Sequence, residues 1–108
     1  MAYYMIQVAY APEAVKTLIK KPHDRTKVVR AAVEKLGGRL EGFWYSFGPY
    51  DAVLIVEMPD NASAAALPLA AVAGGAIRAG ATTPLLTVQE AIVAMKKAGK
   101  SGYRPPGK

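Results

Sequence analysis

The chain has 108 residues, of which 52% are hydrophobic and 20% are charged. That length suits a single domain, and that composition suits a folded core rather than a disordered chain. Cysteine is absent, which excludes disulfides and thiolate chemistry and is typical of a cytoplasmic protein. The formal net charge is +6, with most cations in the first third of the chain and at its end. We interpret both groups as solvated surface.

The sequence shows no sign of membrane insertion or secretion. No basic residue precedes the apolar N-terminal stretch, whereas a secretory signal needs a positive segment there. The longest uncharged run, residues 61–77, is shorter than the roughly 20 residues of a membrane-spanning helix and contains Pro68. We therefore expect a soluble, cytoplasmic protein without a membrane partner.

The first third of the chain predicts a strand followed by a helix in two pieces. Residues 2–9 are rich in Tyr, Ile, Val and Met, which favour strands. The apolar residues that follow recur at the spacing of a buried helical stripe: Val15, Leu18 and Ile19. Pro22 ends this first piece, and Asp24 is placed to cap a second one. Gly37 and Gly38 end the second piece, because glycine adopts the left-handed conformation at low cost.

The middle of the chain predicts a β-hairpin. Two segments of strand-forming residues, 39–46 and 52–58, flank the turn-rich residues 47–51. Either Asp60 or Asn61 is then placed to cap a helix that continues through residue 73.

The rest of the chain predicts a strand and a last helix. Pro68 lies inside the preceding helix, so we expect a kink or two short pieces there. Residues 76–86 predict the fourth strand, with an interruption near Pro84, which lacks the amide donor of a sheet ladder. Thr87 and Glu90 have the spacing of a capping box that opens the last helix.

The order strand–helix–strand–strand–helix–strand predicts an α+β, ferredoxin-like βαββαβ fold with an extra C-terminal helix. We expect residues 1–98 to form this single domain. Residues 99–108 are rich in Lys, Gly, Ser and Pro, which predicts a flexible basic tail. The tail lacks the features of a nucleic-acid-binding module, so we expect no nucleic-acid partner.

The strand sequences imply that the sheet has a partner. Helices cover one face in this fold, and a monomer needs the other face to be polar. Alternation along the strands instead places apolar and aromatic residues on the open face: Tyr3, Met5, Phe43, Tyr45, Val53 and Ile55. We therefore expect a homodimer, or a higher homo-oligomer, formed through the open sheet face. The alternative is that the last helix folds over this face.

The ordered set of motifs resembles a known family. Residues 48–51 (Gly-Pro-Tyr-Asp), the strand at 53–57 and the Pro-Asp pair after it resemble the GYD-domain family, small bacterial proteins named for a Gly-Tyr-Asp signature. The resemblance extends over residues 1–98 and implies a dimeric α/β barrel, a variant of the ferredoxin-like fold. Dimeric α/β barrels include cofactor-free monooxygenases, decarboxylases, haem-handling enzymes and stress proteins. The resemblance therefore implies no particular chemistry.

Six residues are candidates for contact with a small ligand: Tyr3, Tyr45, Tyr50, Asp51, Glu57 and Arg78. A carboxylate beside a phenol, as at Tyr50 and Asp51, can bind or deprotonate a ligand, but the same residues also stabilise turns. Glu57 shares a strand face with apolar residues, so we expect it to point into the barrel, with Arg78 as the nearest cation. The alternative for this pair is a structural ion pair at the end of the sheet.

Other sequence features argue against a metal or a cofactor. Four strand aromatics, Tyr3, Phe43, Trp44 and Tyr45, can line an aromatic pocket, although such residues more often form an interface or core. His23 is the only histidine, which argues against a multi-histidine metal site or haem cage. A phosphate-binding glycine loop, a nucleophile elbow and zinc-ligand spacing are also lacking. We therefore expect no metal or cofactor, and the sequence identifies no catalytic residue.

Three functions stay open from the sequence. The first is an oligomer that binds a small organic ligand in the barrel cavity. The second is a cofactor-independent enzyme of the monooxygenase or isomerase type, with Glu57, Tyr45 and Tyr50 as acid–base or hydrogen-bonding groups. The third is a structural assembly protein that uses its apolar surfaces to build higher oligomers. A polar-lined cavity near Glu57 favours the first two, and a fully packed interface favours the third.

Overall fold

The computed structural model describes residues 1–107. In chain order its elements are β1 Ala2–Tyr10, α1 Pro12–Lys20, α2 Thr26–Lys35, β2 Arg39–Tyr45, β3 Ala52–Met58, α3 Asn61–Ala73, β4 Ile77–Leu85 and α4 Val88–Gly99. This is the predicted βαββαβ order, with the first helix in two pieces. Residues 100–107 contain no helix or strand, and the end of the predicted tail, Lys108, lies outside the described residues.

The four strands form one antiparallel sheet in the order β2-β3-β1-β4. β1 and β3 are therefore central, whereas β2 and β4 are edge strands. The core lies between this sheet and helices α2 and α3. Its strand residues alternate with half-buried neighbours, as a pleated strand requires. The core consists of Tyr4, Ile6, Val8, Leu40, Ala52, Leu54, Val56, Met58 and Ile77 from the strands, with Val33 and Ala64 from the helices.

A β-bulge in β2 changes which side chains face the helices. Leu40 aligns with Val56, and Gly42 aligns with Ile55, so Glu41 between them has no partner in β3. One extra residue reverses the alternation of every side chain that follows it in the strand.

Beyond the bulge, Phe43 aligns with the buried Leu54 and Tyr45 lies on the same, helix-facing side. Trp44 points to the open face instead, where 57% of it is exposed. The prediction that Phe43 and Tyr45 lie on the open face is therefore wrong, because simple alternation does not include the extra residue. Tyr3, Met5, Val53 and Ile55 do lie on that face and are half-buried.

Two helices differ from their sequence predictions. α1 has no buried residue, and Val15 and Ile19 are 38% and 73% exposed, so the predicted buried stripe is wrong. α1 runs along the surface, and only Ala14 and Leu18 are half-buried. Pro68 lies inside α3, which continues through it as one helix rather than as two pieces.

β4 also runs through its proline without interruption. Pro84 aligns with Tyr4 of β1, and no strand lies on the other side of β4 within residues 1–107. An edge strand tolerates proline where the missing amide would point away from the sheet, because no neighbouring strand supplies an acceptor on that side. The predicted interruption near Pro84 is therefore wrong.

Two of the predicted helix starts are confirmed by their hydrogen bonds. Asp60 Oδ1 accepts from the amide of Ser63 at 2.7 Å. At α2 the N-cap residue is Arg25 rather than the predicted Asp24, although Asp24 Oδ1 accepts from the amide of Thr26 at 2.8 Å. Thr87 and Glu90 form a capping box, in which each side chain accepts from the other residue's backbone amide. Such caps satisfy amides that have no partner within the helix.

α4 continues from the end of β4 and leaves the open sheet face uncovered. None of its residues is buried, and it makes no substantial contact with the sheet. The alternative in which the last helix covers the open face is therefore wrong. Within residues 1–107, no helix combines the length and the apolar character needed to cross a membrane.

Candidate functional site

Asp51 joins the hairpin to the end of β1. Its Oδ2 accepts a hydrogen bond from the backbone amide of Tyr10 at 2.8 Å, and its own amide donates to the carbonyl of Val8 at 2.8 Å. The amide of Ser46 donates to the carbonyl of Asp51, also at 2.8 Å. These contacts give Asp51 the backbone-binding role that was one of its two sequence alternatives. One of these backbone contacts, with Tyr10, joins residues that are 41 positions apart in the chain.

Tyr50 lies beside the hairpin connection. Its carbonyl accepts a hydrogen bond from Ser46 Oγ at 2.8 Å. Its side chain borders an open depression of about 280 Å³ on the outer sheet face, together with Gln7 and the fully exposed Phe47. Among the described residues, no charged side chain lines this depression. A ligand-binding role for Tyr50 stays a prediction.

Glu57 lies on the open face and is paired with a cation, but not with the predicted one. Arg39 Nη2 is 3.2 Å from Glu57 Oε1, and Arg39 Nε is 2.8 Å from Glu41 Oε1. Tyr3 is the register neighbour of Glu57 in β1, whereas Arg78 lies at the opposite end of β4. The prediction that Arg78 is the nearest cation is therefore wrong, because the antiparallel register places Arg39 directly opposite Glu57.

Tyr45 lies near the connection between α1 and α2. Its ring meets that of Phe43 edge to face, with 5.2 Å between the ring centroids and 89° between the planes. Its hydroxyl donates to the carbonyl of His23 at 3.3 Å. The six predicted residues therefore do not form one site. Tyr3 and Glu57 share the open face, and Tyr50 and Asp51 lie in the hairpin. Tyr45 lies on the helix side, and Arg78 lies at the end of β4 away from Glu57.

A cavity between α2, α3 and the sheet has the character of a ligand site. Its volume is about 110 Å³, and its walls are almost entirely apolar. They include Ile6, Val29, Phe43, Leu54, Leu67 and Ala71. The exceptions are Tyr10, at the end of β1, and Arg25, immediately before α2. Apolar walls with a few convergent polar groups are the usual composition of small-molecule sites.

A second cavity adjoins the first. It has a volume of about 210 Å³ and lies under α1, where Leu18 and His23 contribute to its walls. Tyr10, Arg25 and Ala76 line both cavities. The phenol and the guanidinium therefore stand where the two spaces meet. Within the described part of the chain, no carboxylate lines either cavity.

The electrostatics of this junction favour a neutral phenol beside a cation. Burial raises the pKa of Tyr10 above its ordinary value of 10.0, with smaller upward contributions from Tyr45 and Asp51 that the charge of Arg25 opposes. Tyr10 is therefore protonated near neutral pH and acts as a hydrogen-bond donor. Arg25 forms no ion pair within residues 1–107, so its charge is not neutralised by a carboxylate of that part of the chain.

An open groove between α3 and β4 is larger, at about 450 Å³. Its main polar feature is the Tyr4 hydroxyl, which donates to Asn61 Oδ1 at 2.6 Å. No charged side chain of residues 1–107 lines it. The groove therefore offers shape and apolar contact but little to orient a ligand.

The sequence analysis missed Tyr10 and Arg25. They are 15 positions apart and meet because the chain returns through α1 and the break at Pro22. The signal available was weak: an aromatic residue ending a strand and one arginine at a helix start.

A four-stranded antiparallel sheet with two helices packed on one face and a cavity between them defines a ferredoxin-like α+β protein. The chain belongs to the GYD domain family, because the family model matches residues 4–95. Comparison with curated proteins gave no match.

Solved structures are similar to this chain at low sequence identity. The structure of MtbAldR has a TM-score of 0.50 and 19% identity, over 80% of this chain and 52% of that chain. FFRP-DM1 has a TM-score of 0.48 and 14% identity, over 80% of this chain and 100% of that one. TTHA0845 from Thermus thermophilus has a TM-score of 0.47 and 15% identity, over 82% and 96%. The similarity to MtbAldR concerns the fold alone, and the match spans about half of that chain.

Proposed function

We propose that the protein binds a small, partly apolar organic molecule in the cavity between α2, α3 and the sheet. The observation that carries this proposal is the pair of polar groups, Tyr10 and Arg25, at the mouth of an otherwise apolar cavity. This site differs from the barrel cavity expected around Glu57, whose carboxylate is paired with Arg39. Because that pair leaves Glu57 without the features of a free general base, we propose binding rather than catalysis.

Binding is tested by titrating isotope-labelled protein with small organic molecules while backbone amide resonances are recorded. We expect shifts at the amides of Val29 and Ala71, which line the cavity. Ala71→Leu adds volume inside the cavity and is expected to abolish these shifts, because a packed interior has little room for extra methyl groups. Ala70→Leu is the matched control, since Ala70 is the exposed neighbour in the same helix. Unchanged ligand binding in Ala71→Leu contradicts the proposal.

We further propose that a second copy of the chain covers the open sheet face. Met5 and Ile55 are register neighbours at the middle of this face, and Trp44 is 57% exposed beside them. α4 leaves the face free. A contiguous apolar face of this kind is characteristic of an interaction surface, and a two-fold axis lets the same face serve both copies. The oligomeric state in solution, measured by sedimentation, tests this proposal.

A further inference from the structure

We infer that the ligand is a small organic carboxylate, with its hydrocarbon body in the apolar cavity and its charged end between Arg25 and Tyr10. This inference rests on the ligand binding proposed above and specifies its chemistry. It concerns the charge, the size and the orientation of the bound molecule.

The charge follows from Arg25. Its side chain is half-buried, lines both cavities and forms no ion pair with the described residues. Guanidinium groups in partly buried positions are usually satisfied by an anion, and the planar donor fork fits a carboxylate in two-point contact. A cationic ligand is disfavoured, because no described carboxylate lines either cavity and the nearby Asp51 carboxylate is bound to the backbone amide of Tyr10.

Tyr10 supplies a second donor for the same anion. Its backbone amide donates to Asp51, whereas its hydroxyl is not among the side-chain hydrogen bonds of residues 1–107. This hydroxyl is reached by solvent, because no buried side-chain oxygen or nitrogen of the described residues lacks a partner. The Asp51 carboxylate could compete with a ligand as the acceptor for the Tyr10 hydroxyl. Its Oδ2 instead accepts from the backbone amide of Tyr10. The neutral phenol therefore remains available to donate to one oxygen of a carboxylate while Arg25 contacts the other.

The size follows from the apolar cavity. A volume of about 110 Å³ corresponds to a few water molecules at roughly 30 Å³ each, which suits a hydrocarbon body of about four to six heavy atoms. Phe43, Leu54 and Leu67 supply the walls for such a body. The adjoining cavity of about 210 Å³ leaves room for water around the charged end.

The test compares 3-methylbutanoate with 3-methylbutanamide, which have the same shape and differ in charge. Binding is measured by amide shifts at Val29 and Ala71. We expect the carboxylate to bind at least about 10-fold more tightly than the amide, because hydrogen bonds to charged groups are the stronger ones. Arg25→Gln is expected to weaken carboxylate binding by about 10- to 100-fold and amide binding by less, because a neutral carbonyl accepts a weaker hydrogen bond than a carboxylate.

Two further variants complete the experiment. Tyr10→Phe removes the hydroxyl and is expected to weaken carboxylate binding by about 3- to 10-fold. Arg30→Gln is the matched control, since Arg30 is an exposed arginine of α2 that lines neither cavity. Urea unfolding of each variant establishes that it is folded before it is titrated.

The possible results distinguish the carboxylate inference from the proposed binding of a small molecule. If both compounds bind equally and Arg25→Gln changes neither, the carboxylate inference is overturned and ligand binding stands. If neither compound shifts the cavity amides, both the inference and the proposed function are overturned. Selective loss of the carboxylate in Arg25→Gln, with Arg30→Gln unaffected, establishes the inference.

Discussion

The carboxylate of Asp51 holds the backbone amide of Tyr10, with 2.8 Å between Oδ2 and N. The contact falls where the pairing of β1 with β4 changes register, between Ala9 and Tyr10. The last residue of the family's signature thus fixes the end of the strand that carries the phenol of the candidate site. Asp51 is connected to that candidate site through the backbone of Tyr10.

Replacing Asp51 tests this role. Asp51→Ala leaves the Tyr10 amide without its acceptor, and we expect the free energy of unfolding to fall by about 1–3 kcal/mol. Asp51→Asn keeps an acceptor oxygen and is expected to cost less. Urea unfolding measures both. Glu13→Ala, at an exposed carboxylate of α1, is the control and is expected to change little. Equal stability of Asp51→Ala and the natural protein contradicts the interpretation.

The open face gives a prediction about assembly. Ile55→Lys places a charge at its middle, and we expect the dimer to dissociate because an unpaired buried charge is costly. Sedimentation at several concentrations measures the change. Ala70→Lys, on the exposed side of α3, carries the same charge and is expected to leave the dimer intact. If the protein without substitutions stays monomeric at all concentrations, the dimer proposal is wrong.

Gly42 gives a spectroscopic prediction. The ring of Trp44 lies over Gly42, where a Cβ atom would collide with the indole. Gly42→Ala is therefore expected to displace the ring and change its emission, and Trp44 is the only tryptophan of the chain. Gly48→Ala is the control, because its added Cβ meets nothing within 4 Å. Identical emission from the two variants shows that the indole does not rest on Gly42.

The capping box of α4 gives a prediction about local structure. Thr87→Ala removes the acceptor for the Glu90 amide at 3.1 Å, a loss of about 1 kcal/mol in helix stability. We expect circular dichroism to show reduced helicity. The urea midpoint of the core is expected to stay the same, because α4 does not pack on it. A lowered midpoint indicates that α4 contacts the folded domain in solution.

Asp60 gives a prediction about pH. Hydrogen bonds from Ser63 lower the pKa of Asp60 below its ordinary value of 3.8. A lowered pKa in the folded state gives stability that is present above pH 3.8 and is lost as the pH falls through the folded-state value. Asp60→Ala is therefore expected to be less stable than the natural protein at neutral pH, with the difference shrinking below pH 3.8. Urea midpoints across this range measure the effect, and a constant difference contradicts it.

Much of the fold follows from local chemistry. Pro59 and Asp60 mark the end of β3 and the start of α3, and both boundaries agree with the structure. Thr87 and Glu90 likewise mark the start of α4. These signals are readable because each depends on residues that are close in sequence and satisfy one another's backbone groups.

The errors arise where a distant contact decides the outcome. Glu41 is an extra residue whose presence shows only when β2 is aligned with β3, so alternation misplaced Phe43 and Tyr45. Arg39 lies opposite Glu57 because of the register between β2 and β3, which the sequence of either strand does not reveal by itself. Pairing across strands depends on register, and a single-residue shift exchanges the two faces.

The bulge and Pro84 also have a consequence for how copies of the chain add to one another. β2 and β4 are the two edge strands of the sheet, and the row of backbone donors and acceptors along each is irregular. Glu41 is the unpaired bulge residue of β2, and Pro84 lacks a backbone amide donor in β4. Such edges are poor templates for a strand from another molecule, so edge-to-edge growth into fibrils is disfavoured. We expect the protein to remain in particles of fixed size even at high concentration.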